Sequence, residues 1–413
     1  MSCRVPGGTT WRRLGALASL LAVVVACSGE VSDGSALAGG GGTAGSGASA
    51  GNGGFSGNGG SSGNGGSTGG SAGVPGGTGG AHGGTGGTPV EPPAGTVPMF
   101  VAQGHAGRTI ISCDDGRSWV ADRSDESWNY CTTNECDHGP GAGHGITYGD
   151  GWFFATFGWG SPGSLRRSRN GVDWEAVVTG SSFGGVLFGN GRLVAVNRLG
   201  QYSDDLGESW SDFGEVELDG WPIRDSAFVP YGGGRFIMSG DGELVVSSDA
   251  VTWVKPQSIP VGCSGGTYQG RIIYGNGTIV MTGASGLVCY SRNGGQDWSS
   301  KSIAGSLMAN GIWNGNEFMA WSYGTVYRSA DGQSWTSGET VPNDVEFGVT
   351  AISDRGTIVA VTNGWQQHYD SQVFYRSEDG VNWEALSDDS YTGGHPIHVI
   401  AFGYGQPSEH CPL

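Results

Sequence analysis

One short phrase, written seven times, limits this chain more than any other feature. Ser112-Cys-Asp114-Asp-Gly116-Arg-Ser-Trp119 recurs as Ser203-Asp-Asp205-Leu-Gly207-Glu-Ser-Trp210, and as Ser291-Arg-Asn293-Gly-Gly295-Gln-Asp-Trp298. A form one residue shorter gives Ser168-Arg-Asn170-Gly-Val-Asp-Trp174, Ser329-Ala-Asp331-Gly-Gln-Ser-Trp335 and Ser377-Glu-Asp379-Gly-Val-Asn-Trp383. The remaining copy, Ser247-Ser-Asp249-Ala-Val-Thr-Trp253, lacks the glycine. Successive tryptophans stand 55, 36, 43, 45, 37 and 48 residues apart. Self-similarity at that period marks one supersecondary unit per repeat, stacked on its neighbours. Around each phrase lie short β-branched and aromatic runs, such as Thr357-Ile-Val-Ala-Val and Thr325-Val-Tyr-Arg-Ser, which read as strands.

The phrase resembles the Asp-box, or BNR repeat, of sialidase-like β-propellers, and the resemblance covers residues 98–413. It implies an all-β fold, a seven-bladed β-propeller of four-stranded blades. The residue types suit a turn. A carboxylate or amide can hold backbone N–H groups across a hairpin, glycine takes positive φ, and tryptophan packs between hairpins. The Asp and Trp of these boxes are therefore expected to be structural. Within each blade, strands A and B precede strand C, which enters the box, and strand D leaves it. The first box is preceded only by B-like Met99-Phe-Val-Ala and C-like Thr109-Ile-Ile-Ser. Its A strand is expected from the far end, His398-Val-Ile-Ala-Phe-Gly, so the C-terminus would complete the N-terminal blade and close the ring.

The N-terminus supplies an address. Arg4, Arg12 and Arg13 precede an apolar run from Leu14 to Ala26 that meets Cys27. Such a run is too short to span a bilayer but suits a signal peptide. Val24-Val25-Ala26-Cys27 resembles a bacterial lipobox, which makes residues 1–27 a lipoprotein signal and Cys27 the lipidated residue. An ordinary secretory signal is the alternative. Ser28, rather than Asp, after the cysteine implies the outer membrane of the cell envelope. Residues 28–97 read as a Gly-rich disordered tether: from Gly39 to Thr88, 26 of 50 residues are glycine and none is charged. Such a stretch has nothing to bury against the entropy of ordering it, and it spans roughly 45 Å as a coil. The chain carries a net charge of −18, with only two lysines, Lys255 and Lys301. Lacking a basic stripe, it is a poor partner for nucleic acid.

Six further cysteines in an exported chain favour disulfides over zinc, and six allow 15 pairings. In the implied ring, strands A and C run parallel within a blade. Cys411, just past the closing strand, would then reach Cys113. Cys131 and Cys136 share a loop, and Cys263 and Cys289 share the fifth blade.

In such a fold the boxes point to one end of the ring. The D–A and B–C loops surround the channel mouth at the other, and six histidines map there. His105 and His368 fall in B–C loops, His138 and His144 in one D–A loop, and His395 and His398 in another. His144 and His398 occupy equivalent blade positions. With His105 and His368 they could hold a divalent transition metal, aided by Asp137, Asp150 or Asp370; plain polar turn residues are the alternative. Trp128, Trp159, Trp221 and Trp365 also fall in loops of that end and could stack on sugar rings or pack beneath long loops. Trp152, Trp313 and Trp321 fall in strands and are expected in the core. The Phe/Tyr-Arg-Ile-Pro segment of a sialidase is absent, Trp221-Pro222-Ile223-Arg224 having the wrong order. Asp219, Asp225, Asp344, Asp388 and Asp389 are loop carboxylates, yet nothing singles out a general-acid and base pair. Seven-bladed Asp-box propellers also include photosystem assembly factors, which bind proteins and catalyse nothing, so fold does not decide function. The expected function is a non-catalytic, membrane-anchored propeller that binds a protein or glycan through its D–A/B–C face. The alternative is a glycan-active hydrolase or lyase using the His/Asp cluster.

Overall fold

The computed structural model describes residues 92–104, 107–123, 145–157, 163–179, 183–196, 199–215, 223–240, 243–263, 272–282, 286–305, 311–362, 373–386 and 396–413. They form seven antiparallel sheets arranged as a β-propeller. Blade 2 shows the plan: strand A Ile146–Gly149, B Trp152–Phe157, C Ser164–Ser168 and D Glu175–Thr179, from the axis outward. Blades 3, 5, 6 and 7 repeat it, with A strands Gly185–Gly189, Ile272–Gly275, Ile312–Trp313 and Phe347–Ile352. The A, B and C strands are buried along most of their length, while D strands such as Ser299–Ser302 and Thr336–Glu339 are fully exposed. Each blade therefore packs its two faces against neighbours and leaves its outer strand wet.

Blade 1 is built from both ends of the chain. Its A strand is Ile397–Gly405, paired antiparallel along its length with Val97–Gly104 (B), followed by Thr109–Ser112 (C) and Val120–Arg123 (D). Cys411, beyond that A strand, is bonded to Cys113 at the end of C, with Cα atoms 5.9 Å apart. A second disulfide, Cys263–Cys289, lies within 5.7 Å Cα–Cα and ties the segment after blade 4 to strand C of blade 5. Cys131 and Cys136 lie outside the described residues, as do residues 1–91.

Blade 4 departs from the plan. It has three strands, Ile223–Val229, Arg235–Gly240 and Glu243–Ser247, and its fourth is reduced to one bridge between Val246 and Val254. Two residues further along this register Pro256 falls opposite Leu244, and proline has no N–H to continue the ladder.

The inner strands share a device that reading one motif at a time does not reveal. Opposite the residue that pairs with each repeated serine stand Phe402, Tyr148, Phe188, Phe228, Tyr274 and Trp313, with Ile352 in blade 7. Several of these rings lie flat on a glycine of the preceding blade. A Cβ on Gly149 would meet Phe188 at 2.0 Å, and one on Gly189 would meet Phe228 at 2.1 Å. Aromatic-on-glycine contacts thus set how closely the blades approach at the axis.

Candidate binding face and the opposite, committed end

The repeated turn connects strands C and D, and all seven copies have the same bonding. The serine Oγ accepts from the backbone N–H of the glycine, or of Ala250 in blade 4, at 2.7–3.0 Å. The same hydroxyl donates to the Asp or Asn Oδ1. That oxygen also accepts from backbone N–H groups ahead of the tryptophan, as from Arg117 and Ser118 in blade 1. In five turns the indole Nε1 donates back to the glycine carbonyl.

The second carboxylate or amide atom follows a rule of complementarity. Asp114, Asp205 and Asp379 accept from the side chains of Ser118, Ser209 and Asn382. Where the residue before tryptophan is itself an acid, Asp173 or Asp297, the partner is Asn170 or Asn293, which donates Nδ2 to it at 2.8 and 2.9 Å. Two facing carboxylates never occur in these pairs. The bonds hold the carboxylates ionised. Asp205, bonded first by the Ser209 hydroxyl and then by its N–H, is lowered to about 2. Asp331 falls to about 2 through the Ser334 N–H, against a smaller opposing effect of burial. In Asp114 burial pulls upward, but the bonds from Ser118, Ser112 and Arg117 together bring it below the ordinary value.

These turns are also the joints between blades. The turn glycine of one blade rests on the sheet of the blade before it: a Cβ on Gly116 would meet Val359 of blade 7 at 2.5 Å, and one on Gly380 would meet Met319 of blade 6 at 2.3 Å. An arginine of the preceding blade then bonds the carbonyl just ahead of that glycine. Arg376 donates to Asp115 O, Arg167 to Leu206 O, Arg192 to Asp249 O, Arg292 to Asp331 O and Arg328 to Asp379 O. Sequence reasoning missed these arginines. Their signal was present, since Arg167, Arg328 and Arg376 each directly precede a repeated serine. The C–D turns are therefore occupied in holding the ring together.

The A–B turns lie at the same end of the strands as the C–D turns, because the strand B residue paired with the repeated serine, such as Phe153 with Ser168, is the first or second after the A–B hairpin in blades 2–7. Asp150 belongs here. It occupies the tip of Gly149-Asp150-Gly151-Trp152 with φ 50°, at the far end of strand A from Gly145. The expectation that it joins a histidine cluster at the loop end is corrected by this placement. Trp152 is half-buried, packed against the core cluster of Phe154, Leu165 and Phe188, with the Arg167 and Arg169 guanidiniums 4.4 and 4.2 Å from its ring. Trp313 is half-buried over Gly275, and Trp321 is enclosed.

At this end Tyr404 donates its hydroxyl to Asp354 of blade 7 at 2.9 Å, and Tyr148 of blade 2 donates to Tyr404 O at 2.9 Å. Burial, reinforced by Asp354, pushes the Tyr404 phenol up; burial does the same to Tyr148.

The B–C turns and D–A segments lie at the other end. Of the metal candidates, His398 is described: it stands half-buried in the closing strand, at the loop end. His105, His144 and His368 lie outside the described residues, as do His138, His395, Asp137 and Asp370. Trp128, Trp159, Trp221 and Trp365 lie outside them as well. Among the described residues no three of His, Cys, Asp or Glu converge. What the structure adds at this end is the B–C turn of blade 6. There Tyr323 and, in the adjoining D–A segment, Val341 are 47% and 62% exposed. Asp344 is exposed beside them, and its charge adds to burial in raising Tyr375.

No protein-family model and no curated protein matches the chain. Solved structures do. A quinonprotein alcohol dehydrogenase-like protein from Bacteroides thetaiotaomicron is similar over 73% of this chain and 77% of its own, at 9% identity and a TM-score of 0.52. YCF48 bound to D1 peptide is similar over 66% of this chain and 89% of its own, at 13% identity and a TM-score of 0.45. Virginiamycin B lyase from Staphylococcus aureus is similar over 64% and 94%, at 9% identity and a TM-score of 0.48. At these identities the likeness is one of fold: the chain is a β-propeller of seven blades.

Proposed function

We propose that the chain is an exported, lipid-anchored Asp-box propeller that binds a protein or glycan through its B–C/D–A end and does not transform it. The observation that carries this reading is the division of labour between the two ends. At one end every repeated turn is bonded within itself and seated on its neighbour. The tether of residues 28–97 would arrive at that same end, because Val97 pairs with Gly405 beside the A–B turns. The strand order sends the longer connections to the opposite end. Trp128, Trp159, Trp221 and Trp365 fall within such connections in the sequence and would supply the contacts, since loops on a rigid scaffold are where recognition concentrates.

The experiment has two arms. Produced in a Gram-negative host with an alkyne-bearing fatty acid, the wild type should incorporate the label and sediment with outer membranes, whereas Cys27→Ser should do neither. Label retained in that variant would refute the anchor. In the second arm, a variant carrying alanine at Trp128, Trp159, Trp221 and Trp365 should lose binding to whichever oligosaccharide or peptide the wild type retains. Turnover of a bound glycan would refute the non-catalytic reading.

A further inference from the structure

Strands B and C of blade 6, Phe318–Ser322 and Thr325–Ser329, are joined by a hairpin with two central residues, Tyr323 and Gly324. Both have positive φ, 42° and 69°. Primed turns of this kind favour Asn, Asp or Gly at the first central position, and the chain obeys that preference in its A–B turns with Asp150, Asn190 and Asn276. A bulky residue there is a departure that costs free energy. Tyr323 is the aromatic among the described non-glycine residues with positive φ. The residue presents 47% of its surface to solvent.

The turn is nevertheless rigidly seated. Gly324 N–H donates to Val345 O at 3.2 Å, and Thr340 N–H donates to Gly324 O at 2.7 Å. A Cβ on Gly324 would fall 1.8 Å from Asn343 O, so glycine is required for that approach. Val341 is clamped in turn: its N–H donates to Val381 O, and its carbonyl accepts from Trp383 N–H, both at 2.8 Å. An exposed aromatic and an exposed valine are thus presented on a backbone fixed from both sides. Pre-organised aromatic anchors of this sort carry much of the energy of protein recognition. Around them stand the exposed Glu339, Asn343 and Asp344, on a chain of net charge −18. The apolar pair fits an apolar side chain better than sugar hydroxyls, and the acidic flank sets the sign of its neighbours.

We infer that Tyr323 and Val341 anchor a protein segment in which an apolar side chain is flanked by lysine or arginine. This rests on the loop-end binding reading and narrows its partner to protein. The probe is a phage library of random dodecapeptides selected on the full chain, with enriched peptides resynthesised and titrated. Enriched peptides should carry an apolar residue beside Lys or Arg. Tyr323→Asn should weaken them at least about tenfold, while the denaturation midpoint holds or rises because Asn suits positive φ. Asp344→Asn should slow association and flatten its salt dependence. Peptides that bind Tyr323→Asn as tightly as wild type, but fail on the four-tryptophan variant, would overturn this inference and leave the loop-end reading standing. If no peptide is enriched and cellohexaose or chitohexaose binds in a Tyr323-dependent way, the partner is glycan and the inference falls. If neither class binds, both readings fall.

Discussion

Blade 1 is assembled from two ends of the chain and blade 4 from one continuous stretch, yet blade 1 is the more securely fastened. Val97–Gly104 pairs with Ile397–Gly405 along its whole length. The Cys113–Cys411 bond joins residues 298 apart in sequence. Tyr404 reaches Asp354, and Gln406 N–H donates to Arg169 O, so the closing strand and its tail grip blades 7 and 2 as well. Blade 4 has no closure to defend. Its outer strand is one bridge, its turn has Ala250 in a glycine position at φ 58°, and Val251 and Val254 are exposed beside it. Fastening follows the entropy at stake: the joint that would release the longest loop carries the most independent contacts.

The largest test of that contrast is covalent. Cys411→Ser, whose disulfide spans 298 residues, should lower the unfolding free energy by about 5.7 kcal/mol, and Cys289→Ser, whose disulfide spans 26 residues, by about 3.5 kcal/mol, on loop-entropy grounds. Equal losses in guanidinium denaturation would break the link between loop length and fastening. Next comes the turn residue. Gly116→Ala faces φ 83° and Val359 at 2.5 Å, so it should cost about 2–3 kcal/mol. Ala250→Gly in blade 4 trades relief of a left-handed alanine against one buried methyl and should stay within about 1 kcal/mol of wild type. Tyr404→Phe, which removes one bond from the closing strand, should cost about 1 kcal/mol.

The smallest effect per site is acidic. Asp114, Asp205, Asp249, Asp331 and Asp379 are all held below the ordinary carboxylate value. A depressed carboxylate contributes stability that is complete above its unfolded value and lost as pH falls through its folded value. The denaturation midpoint should therefore drop between pH 4 and 2. Within that window blade 4, with no disulfide of its own third strand to the ring, should fray before blade 1. A midpoint independent of pH there would remove the turn carboxylates from the account.

Much of this was legible because it repeats. Seven serines, each six or seven residues before a tryptophan, announce seven equivalent turns, and the missing first A strand points to His398–Gly403 for closure. What did not repeat was hidden. Pro256 cuts short a strand whose sequence otherwise looks sufficient, since one absent N–H cannot be seen in a hydrophobic pattern. The arginine joints were only half visible: Arg167, Arg328 and Arg376 each precede a repeated serine, but their acceptor is a backbone carbonyl of the next blade, which no side-chain motif records. Trp152 was expected in the core and does pack against the Phe154 cluster, but as the first residue of strand B it is only half-buried, and guanidiniums cover part of its ring. Tyr323 was passed over for the loop tryptophans. Its signal was Tyr-Gly at a two-residue turn, where an aromatic is the wrong residue for the backbone and so the right one to question.

The most direct test of the central claim, that the ring is locked at blade 1 and loosest at blade 4, is native-state hydrogen exchange on the oxidised and the reduced protein. Oxidised, the amides of Ile110 and Ile111 should exchange only through global opening, and those of Val245 and Ser247, which face strand B of blade 4, through a smaller local one. On reduction, protection at Ile110 and Ile111 should collapse toward that of blade 4, which itself should change little. Blade 1 amides that keep their protection after reduction, or blade 4 amides as slow as blade 1 before it, would contradict the account.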